Sequence, residues 1–252
     1  MGWQIVRHSF ILLFRNFGNA LKVSVGPVLL VLMLGLLVLK VMGLTMQQVI
    51  WDTTMGIPTP SVILFVLLAL VALIFTSAWI AVAWHRFILL EDYPAFLPAI
   101  VNRPIWAYAG RSFILGIVMI LAVIPAAIVA GILAQIFGAT STPTLLAVGF
   151  ALGVYFSYIW LRIALVLPAT AVGTSMRLGE SWKSTSPLSS AILGASAILV
   201  ALNIAASSLL GALTGGGVVM AVDVAVNWIT LMVGTSILTT LYGHVVEGRS
   251  LT

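Results

Sequence analysis

The chain has 252 residues, of which 62% are hydrophobic and 7% charged, with a net charge of +5 and no cysteine. Soluble domains carry about 25% charged residues, and any globule must face much of its surface to water, so this composition excludes a soluble fold and predicts an all-α integral membrane protein. The missing cysteines exclude disulfides, cysteine-ligated zinc and iron–sulfur centres.

Residues 1–22 predict an amphipathic helix: Gln4, His8, Arg15, Asn19 and Lys22 fall within a sector of about 60° on a helical wheel, and Trp3, Val6, Phe10, Leu13, Phe14 and Phe17 cover much of the remainder. Two placements fit it. The helix could lie in the interface with its basic stripe toward anionic headgroups, or it could pack on the ends of the other helices. The segment lacks the basic start, uninterrupted apolar core and small-residue cleavage site of a signal peptide, and its retention is expected.

Residues 23–252 then read as a bundle of six apolar stretches, at 23–44, 61–84, 112–137, 144–165, 188–213 and 218–242. Each is long enough to cross a hydrocarbon layer of about 30 Å as a helix, which satisfies its own backbone hydrogen bonds. Arg7, Arg15 and Lys22 precede the first stretch; Arg86, Arg103 and Arg111 separate the second from the third; Arg162, Arg177 and Lys183 separate the fourth from the fifth; Arg249 follows the sixth. Only Lys40 lies toward the other side. The excess of basic residues on cytoplasmic loops therefore places both termini in the cytoplasm, as a multi-pass protein of a bacterial inner membrane. Basic residues dispersed in this way speak for topology and against nucleic-acid binding.

Among the connections, Tyr93, Pro94, Pro98, Arg103 and Pro104 make a broken amphipathic segment, with Trp106 and Tyr108 as interfacial anchors. The connection at 168–187 reads as an ordinary loop, with a re-entrant turn as the alternative. Pro168 is expected to end the fourth helix and Pro125 to kink the third. The outer connections at 45–60, 138–143 and 214–217 leave little mass beyond the membrane.

A repeat is also visible. RHSFIL at 7–12 matches RSFIL at 111–115, WHRFI at 84–88 parallels WLRIA at 160–164, and Trp182-Lys183-Ser184 with Tyr242-Gly243-His244 gives a fainter echo. The chain thus reads as three consecutive helical hairpins, each introduced by a basic, aromatic segment. Recurrence of Trp beside Arg at any interface explains the residue types as well, though less of the RSFIL match. At these residues the sequence resembles bacterial six-span proteins of the YciC-like kind, and the membrane domains attached to some glycerophosphodiester phosphodiesterases. The resemblance rests on the hairpin plan, on AWHRFILLEDYP, and on LRIALVLPATAVG followed by GESWKSTS. It implies a helical membrane module of unsettled role. It implies no phosphodiesterase activity, because the catalytic barrel of those fusions would need a soluble domain.

Chemistry-bearing residues are sparse. His8, His85 and His244 are expected at the basic interface, with no second histidine at i+3 or i+4 and no HExxH. Together His85, Arg86, Glu91, Asp92, Arg103, Arg162 and His244 make a candidate interfacial cluster. Glu91 and Asp92, being adjacent, would diverge by about 100° on a helix and read as ion-pair partners of Arg86 and Arg103. No GxSxG elbow or phosphate-binding Gly-rich loop occurs, so no catalytic, metal or cofactor-binding residue is assigned. Lys40 and Asp223 are costly in lipid unless paired, hydrated or snorkelling; they are either an ion pair between the first and sixth stretches or two independent residues near the outer surface. Ser196, Asn203 and Ser207 repeat at helical spacing and could form a polar seam with Asn227. Ala126, Ala130 and Ala134, with Gly149 and Gly153, offer small surfaces for close approach of the third and fourth helices.

These features fit a non-enzymatic accessory, assembly or envelope-associated module that binds lipids, other membrane proteins or further copies of itself. A small-solute transporter with its path between hairpins is the alternative. A lipid-modifying enzyme built on His85, Arg86, Glu91 and Asp92 is a third reading.

Overall fold

The computed structural model describes residues 1–56, 58–137, 142–212 and 216–251, and every regular element within them is helical. In chain order these are α1 (Gly2–Arg15), α2 (Phe17–Val41), α3 (Met46–Thr54), α4 (Pro60–Leu90), α5 (Ile105–Phe137), α6 (Thr142–Ile163), α7 (Val166–Ala171), α8 (Leu178–Ser184), α9 (Ser189–Ala212) and α10 (Gly216–Val245), with a 3-10 turn at Ser186–Leu188 before α9. Six of these segments are long and apolar enough to cross a membrane, at the expected places. The connections expected at 138–143 and 214–217 and the end of the fifth stretch at 213 lie mostly outside the described residues, as does the side chain of Ala134.

Local chemistry explains several helix ends. Pro60 stands at the first position of α4, where its missing N–H costs nothing. That helix runs six residues past the expected end at Trp84 and stops at Glu91, which takes a left-handed conformation (φ 55°). The long outer connection holds α3, which starts at a capping box: Thr45 Oγ1 accepts from the Gln48 amide at 3.2 Å, and Gln48 Oε1 accepts from the Thr45 amide at 3.2 Å. Between α6 and α7 the chain turns at Ala164 and Leu165. Pro168 has no N–H to give the Ala164 carbonyl, which accepts instead from the Leu167 amide at 3.0 Å.

The hairpins α2/α4, α5/α6 and α9/α10 form the expected series, joined to one another through α4 on α5, α6 on α9 and α10 on α4. The segment after α6, expected as an ordinary loop, is instead largely helical. All six residues of α7 are buried among α4, α5 and α10. Its sequence, VLPATA, is apolar and small enough to fill the gap between three larger helices. Of the two placements open to α1, the packed one is observed: it lies on α9 and α10 with Ile5, Val6, Ser9 and Leu13 buried. Ser9 Oγ bonds Thr240 Oγ1 at 3.1 Å, and a Cβ on Gly2 would stand 2.7 Å from the Ala191 carbonyl. Trp3, Arg7, Phe14 and Arg15 remain exposed.

Burial is confined almost entirely to one end of the bundle, the end that carries the basic residues. On α4 the buried run is Ala78 to Leu89; on α9 described burial stops at Ser196; on α10 it starts at Met232. Beyond Leu115, the only buried residue described on α5 is Ala126. The far halves of the spans expose apolar side chains on all sides, apart from a small cluster of Leu39, Val49 and Val62 under α3. In lipid such surfaces gain nothing from mutual burial, so the helices separate where no polar link or steric fit draws them together.

Candidate functional site

The closed, basic end is held by arginines that reach across helices. Arg86 Nη1 donates to the Ala171 carbonyl at the end of α7 (3.2 Å). Arg249 donates through Nη1 and Nη2 to the Ile88 and Leu89 carbonyls in the last turn of α4 (3.2 and 2.8 Å). Arg162 Nη2 donates to the Trp182 carbonyl in the last turn of α8 (2.7 Å). Three helix C-termini, where backbone carbonyls lack intrahelical partners and the dipole is negative, are thus capped by guanidinium groups from elsewhere in the chain. Arg111 adds a bond to the Thr170 hydroxyl on α7.

Arg162 is the most deeply placed of these, 3% exposed. Besides Trp182 it donates from Nε to Thr185 Oγ1 (2.8 Å) and from Nη1 to Tyr158 Oη (2.6 Å) and Ser189 Oγ (3.0 Å). Its guanidinium lies 4.1 Å from the Trp182 ring centroid and 5.5 Å from that of Tyr158. No carboxylate pairs with it among the described residues. Neutral acceptors and two aromatic faces carry the whole cost of burying its charge. The two stretches LRIALVLPATAVG and GESWKSTS, separate in sequence, meet at this residue.

His85 sits at the centre of the closed end and is fully buried, not interfacial as its sequence position implied. Its Nδ1 is 2.7 Å from Thr239 Oγ1, and its Nε2 is 3.2 Å from Tyr108 Oη. Thr239 Oγ1 donates its proton to the Thr235 carbonyl at 2.8 Å, so it accepts from Nδ1–H, and Nε2 accepts from Tyr108. A neutral imidazole with its proton on Nδ1 satisfies all partners and ties α4 to α5 and α10.

Of the remaining members of the expected cluster, Arg86, Asp92 and Arg103 meet, and Glu91 and His244 stay outside that group. Asp92 Oδ2 receives both Arg86 Nε (3.1 Å) and Arg103 Nη1 (2.6 Å). Partial burial pushes the Asp92 carboxyl up, but the hydrogen bonds and charges of Arg103 and Arg86 outweigh it and hold the group below the ordinary carboxylate value. Glu91 is exposed, takes a left-handed backbone conformation and makes no ion pair among the described residues. His244 lies apart, its Nδ1 2.7 Å from the Arg249 carbonyl. A cavity of about 260 Å³ is lined by His8, Glu91, His244 and Arg249 together with further polar and apolar groups, but no three His, Asp or Glu side chains are placed to hold a metal ion among the described residues.

Of the two readings of Lys40 and Asp223 the independent one is observed, and the expected polar seam is corrected. Lys40 and Asp223 form no ion pair; both are exposed, and Asp223 Oδ1 accepts from Asn227 Nδ2 at 3.0 Å one turn along α10. A local i, i+4 bond therefore satisfies both α10 residues without α2. The polar seam is absent: Ser196 is buried without a partner for Oγ, whereas Asn203, Ser207 and Asn227 are exposed. The hydrogen bond that does join α10 to α2, from Trp228 Nε1 to Ser24 Oγ at 2.8 Å, involves neither seam nor charge.

The separation of the far halves leaves clefts. One of about 760 Å³ lies between α6, α9 and α10; no charged residue lines it, and Ser157, Asn203 and Thr230 are its few polar groups. A second, about 480 Å³, separates α2 from α4 and is almost wholly aliphatic. Comparison with family models, with curated proteins and with solved structures gives no match for this chain.

Proposed function

We propose that the chain is a non-enzymatic multi-pass protein of a bacterial inner membrane, with both termini cytoplasmic, that acts as an accessory or assembly module by holding lipid, and through it other membrane proteins, in the open half of its bundle. The observation that carries this reading is the cleft of about 760 Å³ between α6, α9 and α10, lined by apolar and small side chains and by no charged one. Such a lining matches acyl chains, which are as apolar as leucine, and at Gly149, where nothing stands within 4 Å of the place a Cβ would take, the groove admits them close to a helix backbone. The gathering of basic residues at the closed end supports the orientation. The resemblance to YciC-like membrane proteins agrees with it.

Transport is the second reading, favoured by the presence of Asn203 in that cleft. Against it stands the closed end: Phe10, Leu161 and Ile237 close the cleft on that side, and Trp84, Leu165 and Met232 are fully buried around it. Against a lipid-modifying site, His85 is sealed in the core with both ring nitrogens bonded to Thr239 and Tyr108, whereas Glu91 is exposed.

Purification in a mild detergent, followed by identification of what remains bound, tests the proposal. Retained phospholipid or a stable membrane-protein partner is the expected result. A chain that is stripped of lipid yet folded and alone, or one that holds a small polar solute, contradicts it.

A further inference from the structure

The Arg86–Asp92–Arg103 group borders a cavity that no part of the preceding reading uses. About 240 Å³ in volume, it is walled by Trp79, Val82, Leu97 and Pro98 on one side and by the two arginines on the other. We propose that this cavity binds the phosphate of an anionic phospholipid headgroup in the leaflet at the basic end, with the lipid's glycerol and first methylenes against Trp79 and Leu97. The proposal rests on the lipid-binding reading and gives it a headgroup chemistry.

Charge is the first argument. Two guanidinium groups share one carboxylate oxygen, at 3.1 and 2.6 Å, leaving one positive charge without a counterion among the described residues. Arg86 spends Nε and one Nη1 proton on Asp92 and Ala171, and Arg103 spends one Nη1 proton on Asp92, so most of their N–H groups remain available. With side chains only 21% and 24% exposed, both are partly desolvated, which strengthens their attraction for an anion.

Preorganisation is the second. Trp79 Nε1 donates to the Pro98 carbonyl at 3.1 Å and pins the 91–104 segment to α4. On its other side, the backbone of α2 at Gly26 lies against the Phe96 carbonyl so closely that a Cβ there would collide with it. A segment fixed at both flanks need not be ordered on binding. Place along the bundle is the third: the cavity is lined by α4 from Trp79 to Arg86 and by the connection that leads into α5, at the basic end, where headgroups and aromatic anchors such as the exposed Trp106 are expected to meet.

The test is native mass spectrometry of the full chain in detergent, titrated with phosphatidylglycerol, phosphatidylcholine or inorganic phosphate. Wild type is expected to prefer phosphatidylglycerol by about five- to tenfold, the effect of one uncompensated arginine near a headgroup. Arg103→Gln should bring the two lipids within about twofold of each other. Asp92→Asn should raise the preference, because it frees both guanidiniums; a purely structural ion-pair cluster would respond to both substitutions by loosening, with no gain in either. Thermal unfolding of each variant verifies that it is folded, and Arg103→Lys, which keeps the charge, should retain the preference. Equal binding of the two lipids by wild type, an unchanged preference in Arg103→Gln, or displacement of the lipid by millimolar phosphate overturns the headgroup site while leaving the acyl-chain reading intact. Binding of neither lipid overturns both.

Discussion

A single buried arginine shows most plainly how the closed end is held. Arg162 donates four hydrogen bonds and stacks on Trp182, so its removal takes away the donor that joins α6 to Trp182, Thr185 and Ser189, while Thr185 Oγ1 keeps its bonds to the Ser181 and Trp182 carbonyls within its own segment. Arg162→Met is expected to cost about 3 kcal/mol, read as a lower unfolding midpoint in detergent. Arg162→Lys should recover less than half of that loss, because a point ammonium cannot span four acceptors and a ring face. An unchanged midpoint in Arg162→Met would contradict this role. Asp92 makes a pH-dependent contribution of the opposite kind. Its folded-state affinity for protons is lowered from the ordinary value of 3.8, so the stability it adds is fully present above that value and is lost as pH falls through the lower, folded one. Acid unfolding of Asp92→Asn should therefore lack this component, whereas wild type should lose stability progressively below about pH 4; identical acid profiles would show that the two arginines do not act on the carboxylate.

At the scale of elements, glycines distinguish contact from lipid exposure along one helix. Gly26 of α2 abuts the Phe96 carbonyl, and nothing lies near Gly35 nine residues further along the same helix. Gly26→Ala should destabilise the protein by about 1–3 kcal/mol through forced separation of α2 from the 91–104 segment. Gly35→Ala should be neutral or stabilising by up to about 1 kcal/mol, from helix propensity alone. Thermal unfolding of the two variants side by side checks the contrast, and equal effects would contradict the packing described for α2. The six spans were legible because hydropathy over about 20 residues is a direct readout of the solvent. Element ends within the basic connections were not. Leu89 and Leu90 carry α4 past Trp84 and into the headgroup level, and α7 is apolar and short, so its six residues merge with the preceding span in any hydropathy profile. His85 was misplaced for the same reason: extending α4 turns a residue expected at its end into one inside the packed core. The guanidinium caps left no local sequence signal beyond arginine near helix ends, because each acceptor belongs to a distant helix. The sequence left two readings of Lys40 and Asp223 open because helical spans fix depth but not lateral neighbours; the independent one is observed, with Asn227 one turn from Asp223 as its partner.

For the molecule as a whole, a bundle tied at one end by polar cross-links and open at the other divides labour between structure and binding. The polar links cost little to satisfy because each arginine meets a carbonyl or hydroxyl that would otherwise be bare. The open half costs little to leave apart because lipid solvates it. The proposed function has one central consequence: acyl chains, rather than water or protein, should occupy the space between α6, α9 and α10. The absence of cysteine from the chain allows a single label to be placed there without altering other sites. A spin label at Ala206→Cys, in the cleft wall, should in lipid bilayers relax faster with oxygen or a doxyl-labelled acyl chain than with a water-soluble nickel complex. Faster relaxation with the nickel complex would mean a hydrated path, and shielding from all three would mean that the cleft is filled by protein; either result contradicts the lipid-holding account.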